Sequence, residues 1–389
     1  MTNEALPESV TAESLTRALR RSGILGDGRV SEVEAENARS TILSRIVRLR
    51  LAYEGEDAGA PLTLIFKTGL PERLTGGWNA GRQEVEFYAK VAPATPPGIL
   101  PRCFEAEWDP NTNDWRLLLE DLGNSHRIVT IGPLPPTFGE CETILRAWAR
   151  FHAHWWEDSR LGKSIGGWGD ANAVDQYLRR LGGKVAEFEE RLGDRLPPAR
   201  KDLYKLLLDR APRLVKRTED RRAVTIVHGD AHVWNSFLPR DGGSDVRLFD
   251  WDGWRLGVAT EDLAYMMAVH WYPDRRRAVE RPLLDLYYDE LQSRGVGNYD
   301  RRALDDDYRL SVLWCATTPV WQAGANIPAV IWWNNLERIH LAVEDLLAER
   351  GIDISHETTG FWWNRFGPIF AAEIRKKRVA HMRSYPQWR

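Results

Sequence analysis

The sequence predicts a two-lobed α+β protein, in which a small antiparallel sheet lobe precedes a larger and mostly helical lobe. Residues 40–53 and 62–67 alternate between apolar and polar side chains, and a polar turn joins them, so they predict a β-hairpin. Long amphipathic segments with helical spacing follow at 137–156, 173–192 and 199–218. Between the two regions, Glu120 and Asp121 are followed by Leu-Gly and break the pattern, which indicates a hinge.

These patterns divide the chain into five segments. We expect a leading helix, a sheet lobe, a hinge, a helical lobe and a helical tail at 1–22, 23–119, 120–123, 124–350 and 351–389. The leading helix is indicated by capping signals and by the helical spacing of Val10, Leu15 and Leu19. Within the sheet lobe, a helix is predicted at 82–89 and a final strand at 117–119.

The helical lobe contains one predicted hairpin. A strand at 224–227 leads into a polar loop, and strands at 235–239 and 246–249 flank a turn that starts at Asp241. Helices resume at Glu261 and are then predicted at 281–293, 307–321 and 329–350.

Composition and charge exclude several classes of protein. The 389 residues are 43% hydrophobic and 28% charged, and a formal net charge of -3 lacks the basic surface of a dedicated nucleic-acid binder. Three well-separated cysteines imply neither a disulfide framework nor a thiolate zinc site. We find no signal-peptide pattern and no run near the roughly 18 apolar residues that span a bilayer. We therefore expect a cytoplasmic protein without nucleic-acid or membrane partners, and its oligomeric state stays open.

The residues with catalytic chemistry lie on one loop and its hairpin. Asp230 and Asn235 are five positions apart, the spacing at which kinase-type loops place a base and a magnesium-binding amide. The hairpin brings Asp250 back beside Asn235, where a carboxylate and an amide oxygen suit a hard cation. Lys67, at a strand end, has Glu84 in the following helix to orient it as a phosphate contact.

Three motifs surround these residues in order. They are His228-Gly-Asp-x-His-x-x-Asn235, Phe-Asp-Trp at 249–251 and Gly257-x-x-x-x-Asp262-Leu-Ala. Together they resemble the aminoglycoside phosphotransferase and choline kinase superfamily, over roughly residues 10–350. Further segments resemble its ecdysteroid-kinase-like branch, namely Phe66-Lys67, Glu84-x-x-Phe-Tyr88, Pro101-Arg-Cys-Phe104, Leu119-Glu-Asp-Leu122 and Asn335-Leu-Glu. The resemblance implies a protein-kinase-like fold and an ATP-dependent kinase.

The resemblance also implies roles for single residues. Asp230 would be the catalytic base, and Asn235 and Asp250 would bind Mg²⁺. Lys67, paired with Glu84, would hold the α- and β-phosphates of ATP.

Supporting roles fall to neighbouring residues. By the same resemblance, adenine would lie against the backbone at Glu120 and Leu122, and Asp262 would hydrogen-bond the catalytic loop. We interpret His228 as a scaffold residue, and His232 as either a scaffold residue or a phosphate contact.

One departure from the family pattern motivates a second hypothesis. The loop that would cover the nucleotide falls near 36–40, which contains no glycine, so Arg39 or Ser40 would have to contact the phosphates instead. A pseudokinase that binds nucleotide without turnover is therefore an alternative.

A third hypothesis is a metal-dependent hydrolase. His228, Asp230 and His232 alternate along the chain and could be metal ligands, with Asp250 and Asp252 completing the site. In the kinase hypothesis, Asp252 is either an acid of the acceptor pocket or a solvated loop residue.

The acceptor is expected to be a small-molecule alcohol. Only twelve residues separate Asp250 from Asp262, which leaves no room for the activation loop and peptide platform of a protein kinase. Trp332 and Trp333 on a late helix favour an aromatic or sterol-like alcohol, although most of the 18 tryptophans are expected to pack in the core. The acidic stretch 305–307 would suit an aminoglycoside, but we interpret it as a helix start.

Overall fold

The fold is taken from a computed structural model that describes residues 6–7, 9–55, 59–70, 80–132, 134–325 and 327–348. The tail predicted at 351–389 and the first residues of the predicted leading helix lie outside this part of the chain. Within the described residues, no helix has both the length and the apolar character needed to cross a membrane.

The small lobe is a five-stranded antiparallel sheet with one helix on each side. Its elements are α1 Ala12–Arg21, β1 Arg29–Ser40, β2 Ser44–Glu54, β3 Thr63–Gly69, α2 Ala80–Glu86, β4 Cys103–Trp108 and β5 Trp115–Glu120. The strand order is β1-β2-β3-β5-β4, so β3 lies at the centre of the sheet. A π-helical turn, Phe87–Val91, continues α2.

Helix α1 covers the outer face of the sheet. Thr11 caps its N-terminus in a capping box with Ser14, which satisfies backbone donors that the first turn leaves free. Leu15 and Leu19 are buried against sheet residues such as Leu49 and Leu64. This apolar contact forms a separate core for the outer half of the small lobe.

The large lobe is mostly helical, as predicted. Its helices are α3 Phe138–His154, α4 Ala171–Leu192, α5 Pro198–Leu214, α6 Thr260–Ala264, α7 Pro273–Ser293, α8 Arg301–Cys315, α9 Thr318–Gly324 and α10 Ala329–Ala348. Its strands are β6 His126–Ile128, β7 Thr225–Val227, β8 Ser236–Pro239, β9 Arg247–Leu248 and β10 Arg255–Gly257. The predicted hairpin is confirmed, because β8 pairs antiparallel with β9.

The prediction of a nucleotide-covering loop at 36–40 is wrong, because these residues form the end of β1. The turn of the β1–β2 hairpin lies at 41–43 instead. Bulges shift the register of β1 after Val30 and again after Ala35, and each bulge adds an unpaired residue. The bulges break the alternation of side chains, so sequence periodicity did not reveal this strand.

The acidic stretch 305–307 does not start a helix. Asp300 caps α8, and its side chain accepts a hydrogen bond from the backbone N–H of Ala303. Asp307 lies further along α8, where Arg217 donates two hydrogen bonds to it and Tyr299 donates a third. The acidic stretch is therefore part of a structural ion-pair network.

Helix α2 lies against the inner face of the sheet and joins the core of the large lobe. Gly81 allows this close approach, because a Cβ atom there would lie 1.9 Å from Cε2 of Trp115. Phe87, at the end of α2, is fully buried and stacks on Trp251 of the large lobe at a centroid distance of 4.1 Å. One continuous core thus connects α2 to the large lobe.

We predict that Gly81→Ala destabilises the protein by about 1–3 kcal/mol, because the added methyl group overlaps the buried Trp115 ring. Urea denaturation followed by circular dichroism measures the effect. Gly183→Ala is the matched control, since a Cβ atom there meets nothing within 4 Å and should leave stability unchanged or raise it by up to about 1 kcal/mol. Equal stability of the two variants would contradict the close packing of α2.

Candidate active site

The centre of the site is the ammonium group of Lys67, near the end of β3. Its Nζ atom lies 2.7 Å from Oε2 of Glu84 on α2 and 2.5 Å from Oδ1 of Asp250, which follows β9. The strand, the helix and the loop come from both lobes. One cation therefore joins the small lobe to the large lobe.

Burial strengthens the ion pair of Lys67 and Glu84, whereas the Asp250 side chain is partly exposed. Lys67 and Glu84 are only 8% and 1% exposed. Burial alone would lower the pKa of Lys67, but the carboxylates of Asp250 and Glu84 outweigh it, so the pKa is raised. Burial likewise opposes the charge on Asp250, and the Lys67 cation outweighs it and lowers the pKa of Asp250. Removing one partner of such a buried pair costs about 3–5 kcal/mol.

Asp250 adopts a backbone conformation that L-residues avoid. Its φ angle is 70°, in the left-handed region, which costs roughly 1–2 kcal/mol for a residue with a Cβ atom. The preceding hairpin holds this conformation, since the N–H of Phe249 donates to the carbonyl oxygen of Asn235 at 3.2 Å. The strained turn directs the Asp250 carboxylate toward Lys67.

Asp230 lies on the loop after β7 among polar neighbours. Nδ2 of Asn235 donates to the Asp230 carbonyl at 2.9 Å and to its Oδ2 at 3.3 Å. Nε2 of His232 lies 3.5 Å from the same carboxylate, and burial together with the nearby Asp230 charge raises the pKa of Tyr265. Because the amide nitrogen of Asn235 is turned to Asp230, its Oδ1 is the atom left to bind a cation.

The buried carboxylate of Asp262 holds the backbone of this loop. It accepts hydrogen bonds from the N–H groups of His228 at 2.7 Å and Gly229 at 3.0 Å. Nε2 of His152 lies 3.2 Å from Oδ2 of Asp262. Gly229 has a φ angle of 81°, and a Cβ atom there would lie 2.3 Å from the carbonyl oxygen of Gly253, so the loop requires glycine at this position.

Both ring nitrogens of His228 are engaged by the backbone. Nε2 lies 2.9 Å from the carbonyl oxygen of Phe249, and Nδ1 accepts the N–H of Asp230 at 3.2 Å. Burial lowers the pKa of His228, so the ring is neutral and carries its proton on Nε2. In the described part of the chain, no group of three or more His, Cys, Asp and Glu side chains is placed to hold a metal ion. His228 is therefore committed to the scaffold rather than to metal binding.

Large aromatic rings pack against the loop that bears His228 and Asp230. Trp251 packs on His228 at a centroid distance of 4.5 Å and stacks on Phe87. Trp254 and Gln83 exchange hydrogen bonds of 2.8 Å between side chain and backbone, which ties α2 to the segment after Asp250. Trp148, Trp155, Trp251 and Trp254 are all buried, so these tryptophans pack in the core.

The negative charge of the site exceeds what Lys67 neutralises. Burial and the charges of Asp250 and Asp230 raise the pKa of Asp252 well above its usual range. Carboxylate and amide oxygens are the ligands that Mg²⁺ prefers. The donor set of Asn235 and Asp250, with a surplus of acidic groups around it, fits a divalent cation.

The expected hinge residues lie at and after the end of β5, and the expected loop residue Ser40 lies at the end of β1. Glu120 ends β5, and its carboxylate accepts the N–H of Arg102 at 3.0 Å. Leu122 is buried, and its carbonyl oxygen accepts the N–H of His126 at 2.8 Å. Ser40 is the exposed last residue of β1.

The two tryptophans expected in the acceptor pocket lie on α10. Trp332 is buried against α4, where its ring lies 5.8 Å from that of Phe188 and the Arg191 guanidinium lies 5.7 Å from its centroid. Trp333 meets Trp332 edge-on at 5.8 Å. The structure therefore brings the acidic, amide and lysine groups together and packs Trp332 against another helix.

Sequence reasoning missed two residues that contact the loop. Tyr265 comes three positions after Asp262 on the α6 helix and its π-helical continuation, so helical spacing could have revealed it. His152 is 110 residues from Asp262 in sequence, and local pattern gives no signal for that contact.

Comparison with protein-family models matches residues 80–303, more than half of the chain, to the phosphotransferase enzyme family (APH). No curated protein matches the chain in a sequence comparison.

The chain is also similar to solved structures. A predicted aminoglycoside phosphotransferase from Ralstonia eutropha JMP134 is 18% identical with a TM-score of 0.52, over 86% of this chain and 96% of that one. The likeness to this structure confirms the predicted kinase-like fold. An amicoumacin kinase in complex with AMP-PNP and Ca²⁺ is 14% identical with a TM-score of 0.47, over 85% and 93% of the two chains. A microcompartment-associated aminopropanol kinase is 11% identical with a TM-score of 0.42, over 89% and 100%.

We predict that Asp262→Asn lowers the free energy of unfolding by roughly 2–4 kcal/mol at pH 7, because an amide group would place a donor against backbone N–H groups. Urea denaturation at several pH values measures it. Burial opposes the Asp262 charge, but His152 and the loop N–H groups outweigh it and lower the pKa of Asp262. The carboxylate therefore stabilises the fold above its unfolded pKa of about 4, and this contribution is lost as the pH falls further.

The difference between the native protein and the Asp262→Asn variant should accordingly narrow below about pH 4. Asp241→Asn, on the exposed turn between β8 and β9, is the control and should match the native protein at each pH. A stability difference that stays constant from neutral to acidic pH would contradict the role given to the Asp262 charge.

Proposed function

The chain belongs to the phosphotransferase enzyme family and is a small-molecule phosphotransferase, and we propose that it moves the γ-phosphate of ATP to an alcohol. One observation carries the proposal: Lys67 is held between Glu84 and Asp250, next to the loop that bears Asp230 and Asn235. Phosphoryl transfer needs charge neutralisation and positioning more than covalent chemistry, and this arrangement supplies both.

The nucleotide would lie between the lobes. In this proposal Lys67 contacts the α- and β-phosphates, and Glu84 keeps its ammonium group oriented. Adenine lies against the hinge backbone at Glu120 and Leu122. Ser40, at the exposed end of β1, is close to the turn that would cover the phosphates.

Asn235 and Asp250 would hold Mg²⁺ through oxygen atoms. When bound, the ion supplies positive charge to the β- and γ-phosphate oxygens. The acidic surplus that raises the pKa of Asp252 supports a cation at this position. The strained backbone of Asp250 fixes the position of its carboxylate, of which Oδ1 contacts Lys67.

Asp230 would act as the base. The proton of the acceptor hydroxyl passes to the Asp230 carboxylate as the hydroxyl oxygen forms its bond to the γ-phosphorus. The bond between the γ-phosphorus and the bridging oxygen breaks, and ADP carries the electron pair away. Asn235 and His232 fix the orientation of Asp230, because both contact its carboxylate.

We place the chain nearest to the ecdysteroid-kinase-like branch of the superfamily. This assignment is supported by short sequence segments that run from β3 to α10. The short connection between Asp250 and Asp262 supports a small alcohol as acceptor rather than a protein.

The test is a coupled assay of ADP release with Mg²⁺-ATP across amino alcohols, sugars, aminoglycosides, steroid alcohols and hydroxy acids. We expect Asp230→Asn to lower kcat by about 10²–10⁴-fold and to keep ATP binding, because only the base is lost. Asp250→Asn should abolish the Mg²⁺ dependence of ATP binding, measured by titration calorimetry.

Asp209→Asn is the control, since Asp209 lies exposed on α5. This variant should keep both the turnover and the Mg²⁺-dependent ATP binding of the native protein. ATP binding without turnover of any alcohol would identify a pseudokinase instead, and unchanged turnover in Asp230→Asn would exclude Asp230 as the base.

A further inference from the structure

Arg338 on α10 is a buried arginine without an acidic partner among the described residues. It is 7% exposed, and its Nε atom has no hydrogen-bond partner. Its guanidinium lies 4.6 Å from the centroid of the Tyr272 ring. Burial lowers the pKa of Arg338, and Tyr272 offsets this only in part.

Other buried arginines in the described part of the chain are paired with carboxylates. Arg200 meets Glu337 at 2.8 Å, and Arg276 forms an ion pair with Asp345. A buried charge without a counter-ion is costly to a fold. Such a group is explained when a bound molecule supplies the missing charge.

A series of contacts connects Arg338 to Asp230. The Arg338 guanidinium lies on the Tyr272 ring, and Tyr272 follows His270 by two residues. The ring of His270 lies 5.4 Å from that of His232, whose Nε2 lies 3.5 Å from the Asp230 carboxylate. Helix α10 also packs on the π-helical turn Tyr265–Val269, which precedes His270.

Ring side chains cluster around His270. His270 lies 5.4 Å from the ring of His232, 5.8 Å from that of Trp234 and 5.0 Å from that of Tyr265. Burial and the nearby His232 lower the pKa of His270 to about 3, so it carries no charge at neutral pH. Flat apolar surfaces of this kind suit an aromatic or hydrocarbon body.

The side of α10 that faces this region is set by helical spacing. Asn334 and Arg338 are one turn apart, and both contact Tyr272. Trp332 lies on the side of the helix that packs against α4. The helix therefore directs an arginine toward Tyr272 and His270.

We propose that the acceptor is a hydroxy acid, in which a carboxylate binds Arg338 and an aromatic or apolar spacer leads to the hydroxyl at Asp230. The planar guanidinium matches a carboxylate through two parallel hydrogen bonds. The carboxylates of Asp230, Asp250 and Asp252 repel the carboxylate of the acceptor and so fix the direction in which the acceptor binds. This inference rests on the proposed kinase function and specifies its substrate class.

The test compares acceptors that differ only in charge. ADP release is measured with 4-(hydroxymethyl)benzoate and 6-hydroxyhexanoate, and with the methyl ester and the primary amide of each. We expect kcat/KM to be at least about tenfold higher for the acids, the effect of one charged contact. In Arg338→Gln this preference should disappear, mainly through KM. Arg338→Lys should keep part of it, because the charge stays but the planar fork is lost.

Two controls separate binding from folding. Arg302→Gln removes an exposed arginine of α8 and should keep the preference. Arg338→Met removes the unpaired charge and should leave the melting temperature unchanged or raise it, since no ion pair is broken. A large fall in the melting temperature would show that Arg338 serves the fold and would overturn the proposal.

The remaining outcomes distinguish the two proposals. Equal turnover of acids and esters, or a preference that survives in Arg338→Gln, overturns the hydroxy-acid assignment and leaves the kinase function intact. Absence of ADP release with these acceptors and with the wider alcohol panel counts against the kinase function itself.

Discussion

The contact on which the site depends is the ammonium group of Lys67 between the carboxylates of Glu84 and Asp250. Lys67 and Glu84 are buried, so their charges rely on each other and on Asp250 for compensation. The three residues come from the sheet, from α2 and from a strained turn of the large lobe, and a shift of any one leaves a charge unpaired. The relative position of the lobes and the shape of the site are thereby coupled. Stacking of Phe87 on Trp251 supports the same junction with apolar contact.

The loop that bears Asp230 is held by a second buried carboxylate, that of Asp262. Asp262 accepts the N–H groups of His228 and Gly229, and His228 in turn binds the backbone on both of its ring nitrogens. These bonds leave the Asp230 side chain little freedom, because its own backbone is part of the network. Positioning of this kind is what phosphoryl transfer requires from a protein.

The charges around the site are unevenly distributed. Asp230, Asp250 and Asp252 lie close together, whereas Arg338 lies on the ring of Tyr272, two residues after His270. A polycationic molecule would meet repulsion at Arg338, whereas a molecule with a hydroxyl at one end and an anion at the other meets complementary groups at both. The substrate class thus follows from groups that lie outside the catalytic loop.

Sequence patterns predict well those parts of the protein in which neighbours along the chain are also neighbours in space. The periodicity of apolar side chains indicated the two-lobed fold. The five-residue spacing of Asp230 and Asn235, with the hairpin that returns Asp250, indicated the core of the site. Strand β1 was missed because its bulges interrupt the alternation of side chains.

Contacts between distant segments were visible only in the folded protein. They include the contact of His152 with Asp262 and the orientation of α10, which turns Arg338 rather than Trp332 toward Tyr272. Periodicity shows which face of an element is buried, whereas the partner of that face depends on packing between segments that are far apart in sequence.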